Sequence, residues 1–131
     1  MDMTITFEGG KKVNAEYKGM TIKSDQPVKA GGEASAPEPF SLFLASIGTC
    51  AGFYIKAFCD NRGIPADGIK LVQSMKYHKD KKLIEKISIE VQLPEGFPEK
   101  YRDAVIKAAD VCTVKRHLVD PPGIEVTTTR I

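Results

Sequence analysis

Two spacings of apolar residues divide the chain. In "MTITFEGGKKVNAEYKGMTIKSD" short runs alternate apolar with polar positions and break at Gly9-Gly10 and Lys18-Gly19. Glycine-containing breaks between alternating runs are hairpin signals, so this segment predicts two or three antiparallel strands. "QPVKAGGEASAPEP" has no period and reads as a loop. At Pro39 the pattern changes to that of a helix. Proline suits a first helical position, the apolar residues from Phe40 to Phe58 surround the axis, and Gly63 offers a C-terminal stop. The expected helix has about 24 residues, roughly 36 Å, and is wet only at its ends.

Alternation then returns. Ile69, Leu71, Met75 and Tyr77 share a face with Gln73, and Ile87, Ile89, Val91 and Leu93 follow after the Asp80-Lys81-Lys82 turn, which predicts a long hairpin with one dry face. "PEKYRDAVIKAADV" opens with Pro98 and sets Tyr101, Val105 and Ala109 on one helical stripe. "CTVKRHLVD" predicts a short helix or turn, and "IEVTTT" a last strand. The order spells an α+β fold, an antiparallel sheet packed on a long buried central helix plus a second helix, in a single domain over 1–131. One small sheet can cover only one side of such a helix. A homodimer whose central helices pack together would cover the other.

Composition narrows the function. The 131 residues carry 19 Lys plus Arg against 17 Asp plus Glu, interspersed in sign, which argues against a nucleic-acid partner. Pro39 to Ile55 is uncharged over seventeen residues, at the lower edge of a bilayer span, but Ser41, Ser46, Gly48, Thr49 and Gly52 dilute it. A buried helix is the expectation, and no membrane. "MDMTITFEGG" has neither the basic nor the apolar region of a signal peptide, and the cysteine count is odd. Both lead us to expect a cytoplasmic protein with reduced thiols.

The three cysteines then carry the chemical question. Cys50 and Cys59 are nine residues apart on one predicted helix, about 180° around its axis and roughly 13 Å along it, too far for a disulfide. Cys112 follows the second helix and precedes Thr113, a candidate N-cap, with Lys115, Arg116 and His117 close in sequence. Cys50 with Cys112 is therefore a candidate reactive pair. The alternative, three inert core thiols, stays open on the residues alone. His78 reads as a solvated strand residue and His117 as a surface one. No C-x-x-C or H-x-x-x-H spacing suggests a metal site.

"PFSLFLASIGTCAGFYIKAFCDNRGIPADGI" resembles the signature helix of the OsmC/Ohr family, Pro-led and apolar, carrying a cysteine and ending in an Arg-Gly step before a strand. "AADVCTVKRHL" resembles that family's second cysteine segment, and the order of elements agrees over nearly the whole chain. The resemblance implies a thiol-dependent peroxidase for small organic hydroperoxides, an intertwined homodimer with its sites at the interface. No cofactor is implied beyond an external dithiol reductant. Cys50 would attack the peroxide and become a sulfenic acid, Cys112 would resolve it as a disulfide, and Cys59 would be core.

The chain departs from the family pattern in three places. The organic hydroperoxide reductases have a glutamate ten residues before the first cysteine, holding an arginine; here that position is Phe40, with Glu38 two residues earlier. No arginine precedes Arg62, which leaves Lys18 or Lys23 as sources of positive charge. Thr113 stands where many members have proline. Phe40 and Phe53 are candidates to line an apolar substrate pocket. The Phe40 position also favours a non-catalytic dimer that binds a small apolar ligand, and a thiol redox sensor is a third reading.

Overall fold

A computed structural model describes all of residues 1–131. The chain folds as two compact units, Met1–Ala45 and Ser46–Ile131. The long helix α1 (Pro39–Asp60) runs through the division between them.

In the first unit β1 (Thr4–Gly9), β2 (Lys12–Tyr17) and β3 (Met20–Ile22) form an antiparallel meander. The β1–β2 turn places Gly9 and Gly10 at φ of 125° and 57°, a region that only glycine enters freely, and a bulge follows Phe7. Ile5 pairs with Ala15, Phe7 with Val13, Ala15 with Ile22 and Tyr17 with Met20, so one face of this sheet is entirely apolar. That face is open: Phe7 is 84% exposed and Ile5 53%. The buried residues of this unit are Asn14, Ser24 and Asp25. Asp25 organises the loop leading to α1. Its carboxylate accepts from the backbone N–H groups of Gln26 (2.8 Å), Glu33 (3.3 Å) and Ser35 (3.1 Å) and from the Ser35 hydroxyl (2.6 Å). Those hydrogen bonds, led by the Ser35 hydroxyl, hold its pKa down at about 2.

In the second unit β4 (Lys70–Tyr77) and β5 (Ile84–Gln92) form a separate two-stranded hairpin. The strands therefore occupy two sheets rather than one. α2 (Arg102–Asp110) and α3 (Thr113–Val119) follow. The core joins Ile55, Phe58 and Cys59 of α1 to Phe97 and to Val105 of α2, with Leu71 and Val91 of the hairpin packed around them. α1 ends where the sequence places its stop. Gly63 adopts φ 62°, its N–H bonds the Asp60 carbonyl, and the Ile64 N–H bonds that of Cys59, a Schellman closure. The preceding Arg62 lies 3.7 Å over the Phe58 ring and donates to the Phe58 carbonyl (3.1 Å).

Four further expectations change. α1 is long and apolar enough for a membrane span by length and composition, but it is not covered on all sides. Ile47, Ala51, Ile55, Phe58 and Cys59 form one buried stripe, while Phe40, Phe43 and Phe53 are 50%, 40% and 65% exposed. The expected last strand does not form: residues 120–131 hold no regular element and Ile124 and Val126 are each 90% exposed. A lone extended segment has no ladder to satisfy its backbone, and no strand of this chain pairs with it. The β4–β5 hairpin is dry only toward its base, since Met75 and Tyr77 are exposed. His78 is not simply solvated. Its Nδ1 accepts from the N–H groups of Asp80 (3.1 Å) and Lys81 (3.2 Å) and so shapes the hairpin turn.

Candidate active site

All three cysteines are free thiols. Cys59 is 0% exposed in the core, where burial pushes its thiol pKa up. Cys50 is half-buried on a flank of α1, off the buried stripe. Cys112 is 2% exposed and is itself the N-cap of α3, the role expected for Thr113. Its Sγ accepts from the Lys115 backbone N–H at 3.3 Å. Extended backbone at Cys112 (φ −67°, ψ 148°) turns the chain from α2 into α3 and aims the sulfur back at the new helix.

A cavity of about 300 Å³ adjoins Cys112. Its walls include Ile47 and Ala51 of α1, Ile87 and Ile89 of β5, and Leu118 of α3. Ile47 and Ala51 stand three residues before and one after Cys50 on α1, but Cys50 itself does not line the cavity. At the rim the Lys115 ammonium pairs with Asp110. The ammonium nearest in sequence to Cys112 is therefore engaged with a carboxylate. His117 faces the backbone rather than Cys112, with its Nδ1 2.7 Å from the Thr113 carbonyl.

Two further contacts fix the neighbourhood of Cys50. The Tyr54 hydroxyl, one helical turn beyond Cys50, lies 2.9 Å from the Thr113 hydroxyl. Gly48, two residues before Cys50, faces Gln73 of β4 so closely that a Cβ there would lie 2.6 Å from the Gln73 Oε1. Gln73 did not stand out as a site residue in the sequence, and Tyr54 was expected to pack in the core with the other aromatics of α1. A tyrosine at i+4 from a candidate cysteine was the available signal.

The other candidates have surroundings of their own. Lys18, Lys23, Glu38 and Phe40 belong to the first unit, Cys50 and Cys112 to the second. Lys18 sits at φ 50° in the β2–β3 turn with its ammonium 5.0 Å from the Tyr17 ring centre. Lys23 is exposed; with the Asn14 hydrogen bond as the larger cause, its charge lowers the Glu8 pKa. The Glu38 carbonyl accepts from the Leu42 N–H (3.2 Å) at the start of α1. Phe40 stacks on Phe43 at 5.6 Å, and Phe53 meets Tyr54 edge to face at 5.5 Å. Neither Phe40 nor Phe53 lines the cavity beside Cys112.

The fold and site define a class: an antiparallel α+β protein with Cys50 and Cys59 on its central helix and Cys112 capping a C-terminal helix. The sequence model of the OsmC-like protein family matches residues 32–128, and the chain belongs to that family. Solved structures agree in fold. A Psychrobacter arcticus 273-4 protein described as an osmotic stress induced and detoxification response protein has a TM-score of 0.72 at 19% identity, covering 87% of this chain and 85% of its own. An OsmC like protein from Mycoplasma pneumoniae has a TM-score of 0.70 at 13% identity, covering 92% and 87%. An organic hydroperoxide resistance protein OsmC from Legionella pneumophila has 0.53 at 19% identity, covering 90% and 89%. Likeness at such identities speaks for the fold alone. No curated protein matches the sequence.

Proposed function

We propose that the protein is a thiol-dependent peroxidase that reduces organic hydroperoxides in cytoplasmic oxidative-stress defence. Cys50 thiolate attacks the peroxide ROOH, cleaving the O–O bond to give Cys50 sulfenic acid and, after one proton is taken up, ROH. The Cys112 thiol then attacks that sulfur, forming the Cys50–Cys112 disulfide and releasing water. An external dithiol returns both to thiols. No metal or organic cofactor takes part in this scheme.

The observation that carries the reading is Cys112 in the wall of a largely apolar cavity that α1 lines with Ile47 and Ala51, the sequence neighbours of Cys50. A cavity of about 300 Å³, aliphatic apart from the Asp110–Lys115 pair, suits the organic part of a small hydroperoxide. Family membership supports the same chemistry, as does the fold shared with a Legionella pneumophila protein named for organic hydroperoxide resistance. In this reading Glu38, Lys18 and Lys23 are candidates to support the Cys50 thiolate, and Phe40 and Phe53 to meet substrate, each tested by single substitution. The active form is a homodimer. The open apolar face of the β1–β3 sheet and the exposed Phe40, Phe43 and Phe53 of α1 are what a second chain would cover. Light scattering should give twice the 14.4 kDa chain mass at micromolar concentration, and a folded monomer would remove the dimer.

Turnover of cumene hydroperoxide with a dithiol reductant tests the chemistry. Cys50→Ser should abolish it, and Cys112→Ser should pass about one turnover and then inactivate as Cys50 reaches the sulfinic state. The same cavity favours a second reading, a non-catalytic binder of a small apolar ligand. Wild-type turnover no faster than that of Cys50→Ser, with retained binding of an apolar ligand, would leave that reading in place of the first.

A further inference from the structure

The hydrogen bond between Tyr54 and Thr113 joins α1 to the start of α3, at the residue after Cys112 and one helical turn from Cys50. We infer that Tyr54 and Thr113 are positioning residues for the resolving step, a clasp that holds the Cys112 backbone beside α1 while the Cys112 sulfur moves to Cys50. This rests on the peroxidase reading above and concerns its second step alone.

Three observations carry the inference. Cys112 is 2% exposed and its sulfur is committed, as N-cap, to the Lys115 N–H at 3.3 Å. To attack a sulfenic sulfur it must give up that bond, and the first turn of α3 loses its cap at that moment. A seven-residue helix has little stability of its own, so the uncapped turn needs another attachment. Thr113 supplies it through its hydroxyl, 2.9 Å from that of Tyr54 on α1, while its carbonyl, 2.7 Å from the His117 Nδ1, ties the first turn to the rest of α3. Tyr54 follows Cys50 by four residues on α1, which offsets the two by about 40° around the axis and about 6 Å along it. The anchor is therefore on the helix flank that carries the sulfenic sulfur under attack.

The clasp predicts a split between the two chemical steps. The peroxide step, Cys50 thiolate to sulfenic acid, involves neither hydroxyl and should keep its rate. The resolving step, sulfenic acid plus Cys112 thiol to disulfide and water, should slow. A slower resolving step exposes the sulfenate to a second ROOH, which oxidises it to sulfinate and leaves ROH. Loss of one net hydrogen bond corresponds to about a two- to tenfold change.

The test uses full-length protein and the near-isosteric variants Tyr54→Phe and Thr113→Val, the double variant, and Thr113→Ser. Sulfenic acid formation is followed by dimedone trapping, disulfide formation by quenched-flow alkylation, and the Cys50 sulfinate by mass spectrometry across a cumene hydroperoxide titration. Each single variant should resolve two- to tenfold more slowly, and half of Cys50 should reach sulfinate at a two- to tenfold lower peroxide dose. The double variant should be no worse than either single one, and Thr113→Ser should recover the wild-type rate. Wild-type resolution rates in both single variants would overturn the clasp while leaving the peroxidase reading intact. Equal slowing of both steps, or additive effects in the double variant, would also overturn it. A wild-type protein that forms no Cys50–Cys112 disulfide would remove the peroxidase reading and the clasp together.

Discussion

Replacing Cys59 by serine should cost stability and leave the chemistry untouched. The sulfur is 0% exposed and packs with Ile55, Phe58, Phe97 and Val105, so a serine hydroxyl there enters an apolar core. A buried hydroxyl without a partner is unfavourable by about 1–3 kcal/mol. The local acceptor is the Ile55 carbonyl four residues back, and a bond to it would hold the loss at the lower end. In a chain of 131 residues about 1 kcal/mol moves the melting midpoint by roughly 4 °C, so Cys59→Ser should melt about 4–12 °C lower. Cys59→Ala leaves a small void instead, with a loss of about 1–2 kcal/mol. Differential scanning calorimetry gives the midpoints, and peroxide turnover measured well below them gives the chemistry. Both variants should turn over at wild-type rate. Because burial disfavours its thiolate, Cys59 should also resist iodoacetamide in the native wild-type protein at pH 8. An unchanged midpoint together with lost turnover would refute the reasoning and make Cys59 a reagent.

Three other predictions concern the framework. Gly32→Ala would place a Cβ 2.0 Å from the Gln26 carbonyl oxygen, a backbone atom fixed by its own turn, and should destabilise by about 2–3 kcal/mol and open residues 26–36 to limited proteolysis; Gly96→Ala, which meets nothing within 4 Å, is the control and should be neutral. Asp25 has a folded pKa of about 2 against an ordinary 3.8, so its contribution is fully present above about pH 4 and disappears as pH falls toward 2. The melting difference between wild type and Asp25→Asn should therefore be large at pH 6 and shrink at pH 3, and a difference independent of pH would contradict the assignment. Val105→Ala, at a fully buried position of α2, should cost about 1–3 kcal/mol in chemical denaturation without changing the rate of Cys50 oxidation.

Legibility in the sequence follows physical range. Glycine-marked hairpins, the Pro39 start of α1 and its stop at Gly63 depend on local backbone chemistry, and each forms as expected. The Arg62-Gly63 step was visible as a motif, and its meaning is a Schellman closure with a guanidinium laid over Phe58. The α1 periodicity marked Ile47, Ala51 and Ile55 as apolar without separating them from the exposed Phe53, because a helix apolar all round carries no phase. The "IEVTTT" alternation signalled a strand but not a pairing partner, and within one chain it has none. At the site, Cys50 and Cys112 stood out by residue type and context. The Tyr54–Thr113 bond joins residues 59 apart in sequence, which no local pattern reveals. The Asp25 loop depended on which of several polar residues in an aperiodic stretch turned inward, and composition does not encode that choice.

The division of the three cysteines into reagents and core is tested most directly by peptide mapping. Reduced full-length protein is treated with one equivalent of cumene hydroperoxide, blocked, digested without reductant and sequenced by mass spectrometry. The account predicts one disulfide, Cys50 to Cys112, with Cys59 recovered as a free thiol. A bond that includes Cys59, or recovery of all three thiols unchanged, would contradict it.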